Sequence, residues 1–249
     1  MLDRLFGRSD PQTPDDTWPE RARTPFRLRP GAAFGLTQSL HQRVHARAGG
    51  DLTVALPDAP QWVHAHGLIR QPELGFTLHR FFASANPEDP DGPYPTLLSA
   101  IADTDGRTVA GETVLWHQAD TIYPSSAAEW RDWLDGQHDS PAGLIGWPVF
   151  DCPLSDQRYH LLDDLVEAYG AAVEIDGEVL TTARPRALTE TLRTAEGDLE
   201  TRLQRVTYAR MSGELVELAQ LEAVDAGDAG AWVRVLKGVD LDAGELSIV

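Results

Sequence analysis

Apolar and polar residues alternate with a period of two along much of this chain, the signature of half-buried strands, and only short stretches carry a helical period. Trp62 to Arg70, Phe76 to Phe82, Thr96 to Ala102 and Thr113 to His117 read as strands, with a shorter one at Leu52 to Leu56. The turn sequence Asp103-Thr104-Asp105-Gly106 makes a hairpin of the segments around it. Ala171 to Ile175 and Glu178 to Thr182 flank Asp176-Gly177, a pair suited to the left-handed backbone of a type I′ turn. Leu203 to Met211 and Glu214 to Val224 form a longer hairpin around Ser212-Gly213, and Ala231 to Lys237 alternates as a further strand. Asp198 to Arg210 also suits a helix through Leu199, Leu203 and Val206.

Two helices are expected. Leu36, Leu40 and Val44 recur every four residues and stop at Gly49-Gly50, and Ser126-Ala127-Ala128-Glu129 reads as a capping box ahead of Trp130, Trp133 and Leu134, with Gly136 as the stop. Hairpin-linked strands without strand-helix-strand alternation argue against a doubly wound sheet. The expected class is α+β: a predominantly antiparallel sheet built from hairpins, with a few short helices. Pro11, Pro14, Pro19, Pro25 and Pro30 interrupt the N-terminal stretch, which predicts a flexible leader over residues 1–24 and a single domain over 25–249.

Composition narrows the partners. The 39 acidic residues outnumber the 21 basic ones for a formal charge of -18, a field that repels phosphate backbones and excludes general nucleic-acid binding. Lys237 is the sole lysine; the other basic residues are arginines, as codon bias in a GC-rich bacterium would give. A single cysteine, Cys152, cannot close an intramolecular disulfide, and no signal-peptide pattern opens the chain, so a reducing, cytoplasmic setting is expected. No apolar run reaches the roughly 20 residues of a membrane span. Membrane contact is then at most peripheral, through Leu2, Leu5 and Phe6 at helical spacing beside two arginines.

The search for chemistry yields fragments. His64 and His66 alternate on a strand, so both rings should share one face, with His79 on a neighbouring strand; this is the start of a metal or ligand site, but a fourth ligand is not specified. No metal and no cofactor is therefore expected. Cys152 lacks an adjacent helix start or histidine, Ser125 and Ser126 lack the Gly-x-Ser-x-Gly elbow, and Lys237-Gly238 lacks the glycines of a phosphate loop. Asp163-Asp164 and Glu88-Asp89-Asp91 read as solvated charge. Trp147 and Phe150, in the aromatic segment Gly146-Trp147-Pro148-Val149-Phe150, are either core anchors closing one end of the sheet or interaction anchors, the core being the default for large aromatics.

A combination of residues adds a resemblance. Pro25-Phe26 leads to Gly31-Ala32-Ala33, followed by His79-Arg80-Phe81-Phe82, Gly146-Trp147-Pro148-Val149-Phe150, Tyr159, Tyr208-Ala209-Arg210-Met211, Glu214-Leu215-Val216 and Gly238-Val239-Asp240-Leu241. In this order, over residues 25–249, they resemble the YjfK-like bacterial family, a domain of unknown function; the leader here is longer than that pattern. The resemblance implies a cytosolic bacterial protein encoded near phage-shock-protein-A-like membrane-stress factors. It implies no activity and supplies no catalytic residues. The expected function is an accessory or interaction protein for envelope or membrane stress, with an unidentified protein partner and contacts at Trp147, Phe150, Leu2, Leu5 and Phe6. The competing expectation is an enzyme or small-ligand binder whose site gathers scattered groups such as His64, His66, His79, Asp151 and Tyr159.

Overall fold

A computed structural model of the chain describes residues 24–88, 94–135, 143–152, 154–162, 166–194 and 196–249. The elements in order are β1 (Ala33–Leu36), α1 (Gln38–Arg47), β2 (Gln61–Gln71), β3 (Phe76–Ser84), β4 (Thr96–Asp103), β5 (Thr108–Ile122), α2 (Ala127–Leu134), β6 (Val149–Cys152), β7 (Gln157–Leu161), β8 (Val166–Ile175), β9 (Glu178–Pro185), β10 (Ala187–Arg193), β11 (Asp198–Ser212), β12 (Leu215–Asp225), β13 (Ala231–Asp240) and β14 (Leu246–Ile248). Eight of these close a barrel in the order β2-β3-β4-β5-β13-β12-β11-β10 and back to β2, each pair antiparallel. The closed barrel corrects the α+β expectation: the protein is nearly all β. The antiparallel hairpins stand, but the two described α-helices have only ten and eight residues and sit outside the barrel, forming no layer of their own.

Closure depends on the short strand β10, which pairs along Ala187 to Arg193 with β11 and along Glu190 to Arg193 with β2. Both neighbours outlast it. The first residues of β2 pair instead with β1, which carries β14, and the far half of β11 pairs with β7, which carries β6. Residues 48–56 lie in this region without regular structure, so the strand expected at Leu52 to Leu56 is not formed. The helical alternative for Asp198 to Arg210 is likewise replaced by β11.

Alternation sorts the side chains. Inward positions form two apolar groups, one around Phe82, Leu97, Trp116 and Leu236 and one around Ile69, Leu78, Leu188 and Leu203. On the outer face, α2, β6 and β7 cover β11, β12 and β13 through Trp130, Leu134, Ile145, Cys152, Tyr159 and Tyr208. Leu40 and Val44 of α1 join Leu28 and Phe34 over Phe81, Leu98 and Leu115. A barrel of eight strands is filled by its own side chains, and here both of its faces are in use.

The turns behave as their residues demand. Asp176 and Gly177 both hold positive φ, 54° and 83°, as a type I′ turn requires, so β8 and β9 form the expected hairpin as a separate two-stranded sheet. Ser126 caps α2 by accepting from the Glu129 backbone N–H at 3.2 Å; the Glu129 carboxylate turns back to Ser125 rather than to Ser126. The expected leader, with Leu2, Leu5 and Phe6, lies outside the described residues, as do Asp89, Asp91, Gly136, Asp163 and Asp164.

Candidate functional site

Three polar centres are buried in this fold. The first fills the barrel. Arg80 on β3, 1 % exposed, donates to both Glu222 carboxylate oxygens at 2.7 Å and to both Glu190 oxygens at 3.2 Å, and Arg234 reaches Glu222 at 3.3 Å. The Arg80 and Arg234 guanidinium groups lie over the Phe82 ring at 5.1 and 5.2 Å. Burial opposes the charge on both carboxylates, but Arg80, Arg234 and Arg205 hold Glu222 below its ordinary pKa, while burial leaves Glu190 above its own. The unequal bond lengths explain the split: Arg80 sits closer to Glu222. Three guanidinium groups, of Arg80, Arg234 and Arg205, thus face two carboxylates inside the barrel.

The second centre joins the expected histidines in part. His66 on β2 and His79 on β3 meet at 3.1 Å, Nε2 to Nδ1, both nearly fully buried, and His66 stacks on Phe81 at 4.5 Å. Burial, reinforced for His66 by His79 and Arg193, lowers their pKa values to about 3 and about 4, so both rings are neutral at pH 7. His64 does not join them. A register shift between Val63 and Ala65 breaks the alternation of β2, and His64 turns to Ser84 Oγ at 2.9 Å and stacks on Tyr94 beside Phe82, the opposite face from Phe81. The expectation that His64 and His66 share a face is corrected by this bulge. Among the described residues no three His, Cys, Asp or Glu side chains gather as a metal would need.

Of the third centre, the sequence had offered only Tyr159 as a candidate. On the outer face of β11, β12 and β13, Glu217 is fully buried and accepts from Tyr159 Oη at 3.0 Å, from the Thr53 hydroxyl and from Arg210. Arg210 also donates to Asp51 Oδ2 and to the Asp51 carbonyl, each at 2.6 Å, and Ser212 donates to Asp51 Oδ1 at 2.8 Å. Lys237, 3 % exposed, donates from Nζ to Thr53 Oγ1 and Ser155 Oγ, both at 2.8 Å. Residues 48–56 forgo strand pairing here because Asp51 and Thr53 are held by the barrel's buried charges. Tyr159 belongs to this network, whereas Asp151 is an exposed partner of Arg158 at 2.7 Å. Beyond Tyr159, the status of Lys237 as sole lysine was the one further hint, since its partners are 82 and 184 residues away in the chain.

The aromatic segment packs onto the outer face of the sheet rather than closing its end. Tyr208 Oη accepts from the Gly146 N–H at 3.2 Å and donates to the Leu144 carbonyl at 3.3 Å. Phe150 is half-buried, its ring 5.7 Å from Tyr208 and 6.0 Å from Tyr159; Trp147 is also half-buried. A paired exposed apolar surface lies elsewhere. Where β11 and β12 run past β10, Met211 and Val216 face each other across the hairpin, 61 % and 41 % exposed, with Ala209 opposite Leu218 behind them. Val216 and Leu218 border a cleft of about 330 Å³ shared with Arg43, Arg47, Glu214 and Asp240. No helix among the described residues is long and apolar enough to cross a membrane. No family model, curated protein or solved structure matches the chain.

Proposed function

We propose that this chain is a protein-interaction module that docks a partner on the Met211–Val216 end of the β11–β12 hairpin. The observation that carries this reading is the exposed Met211–Val216 pair. Directly opposed side chains on a rigid hairpin present a preorganised apolar surface, and such a surface gains most when another protein covers it. Arg43 in the adjoining cleft is neutralised by Glu245 at 2.8 Å, while Arg47 has no ion pair among the described residues. The fitting partner offers an apolar side chain to the Met211–Val216 pair. The YjfK-like resemblance supplies the setting, an accessory role in bacterial envelope stress.

The test is a comparison of the native chain with Met211→Glu/Val216→Glu as baits in the native cells, with crosslinking before capture. A partner held by the native chain and lost from the variant, at equal melting temperatures, is the expected result. Identical captures by the two baits would remove this surface from consideration.

A further inference from the structure

We propose that Ser155 is a nucleophile and Lys237 its general base, forming an acyl-transfer site that accepts carboxylic esters. Lysine is among the costliest groups to bury, and a buried ammonium ordinarily lies against a carboxylate. Lys237 does not: its hydrogen-bond partners are two hydroxyls, and no ion pair of Lys237 exists among the described residues. The one buried carboxylate nearby, Glu217, is taken up by Arg210, Tyr159 and Thr53. Thr53 accepts from Lys237 and donates its own proton to Glu217, which fixes the Lys237 side chain in place. A serine hydroxyl in hydrogen-bond reach of a lysine held by a third group is the geometry of a serine–lysine dyad.

The position of Ser155 suits the task. It is half-buried in the tight turn between β6 and β7, next to Leu154, which is 56 % exposed, and before Asp156, whose φ is 50°. The nucleophile thus stands at the surface while its base stays inside. In the reaction, neutral Lys237 takes the Ser155 proton as Oγ bonds to the ester carbonyl carbon. The tetrahedral adduct collapses with loss of the alcohol, which leaves with the proton from Lys237. A water molecule, deprotonated by Lys237, then attacks the Ser155 ester and releases the carboxylic acid, restoring both residues.

The experiment treats the full chain with a fluorophosphonate probe and with p-nitrophenyl acetate, and maps adducts by peptide mass spectrometry. The expected result is a single adduct on Ser155, absent in Ser155→Ala. Lys237→Arg keeps a cation and its hydrogen bonds but cannot act as a base, so its labelling should fall at least 100-fold at an unchanged melting temperature. If that variant unfolds, the wild-type adduct map decides by itself. No Ser155 adduct on the folded chain, or equal labelling rates in folded Lys237→Arg, would overturn the assignment.

Discussion

Acid should weaken this fold well above the range in which carboxylates titrate, and the His66–His79 pair sets how much. Both histidines have an ordinary pKa of 6.5 that the fold lowers, to about 3 and about 4, chiefly by burial. The sign follows from proton uptake. Below pH 6.5 the unfolded chain binds two protons that the folded chain refuses, so stability is complete above 6.5 and declines as pH falls, until the folded rings themselves protonate near 4 and 3. Between pH 7.5 and 5.5 each histidine contributes a loss of about 1.4 kcal/mol, and the pair about 2.7 kcal/mol. That is a large share of the ~5–15 kcal/mol that separates folded from unfolded domains.

The measurement is urea unfolding across that interval for the native chain and for His66→Gln/His79→Gln, whose amides keep a donor and an acceptor without the titration. His117, also lowered by burial, changes both proteins alike, and so does Glu190, whose raised pKa acts with the opposite sign. The native chain should lose about 2.7 kcal/mol more than the variant between pH 7.5 and 5.5. Curves that run parallel within about 0.5 kcal/mol would mean that the pair is not buried and neutral, and the account of this face of β2 and β3 would be wrong.

Other consequences can be measured at pH 7. Arg80→Met strips two buried carboxylates of their main partner and should cost about 3 to 5 kcal/mol in urea, with part recovered in Arg80→Met/Glu222→Gln. Gly67→Ala puts a methyl group into the Glu190 carboxylate and should cost about 1 to 3 kcal/mol by the same assay, more than expected for an alanine in a strand. Ser126→Ala removes the cap of α2 and should lower stability by about 1 kcal/mol, read as a small drop in melting temperature with unchanged cooperativity.

Much of the local architecture was legible because its signals are local. Asp176-Gly177, Ser212-Gly213 and the Ser126 cap each act within a few residues, and the hairpins and helix they predict are present. Leu36, Leu40 and Val44 misled in part: Leu36 ends β1 and only Leu40 and Val44 are buried on α1. The closing strand was illegible for a physical reason. Leu188, Glu190 and Leu192 share one face of β10, and a central inward glutamate breaks the apolar alternation that marks a strand. What makes that glutamate an interior residue is Arg80, 110 positions earlier. The Lys237 network is hidden in the same way, since an isolated lysine, threonine and serine carry no signal until strands far apart in sequence bring them together.

Those hidden charges also explain why the barrel closes in one register. A strand as short as β10 makes few ladder bonds, and sliding it by two residues along β2 would keep its leucines inward, so apolar patterning alone does not hold it. Glu190 does. In the observed register its carboxylate fits the space left by the missing side chain of Gly67 and reaches Arg80; a two-residue slip would carry it away from that gap and strand a buried charge. The pair need not add net stability to do this, because the cost falls on the alternatives. The arrangement predicts that Arg80→Met/Glu190→Leu, which removes one charge of each sign and leaves Glu222 facing Arg234, recovers much of the stability lost in Arg80→Met yet loosens β10. Hydrogen exchange at the amides of Thr189, Thr191 and Arg193 should then quicken relative to those of β12 and β13. If those amides stay as protected as in the native chain, register is set by the ladder and the leucines, and the charges are only tolerated.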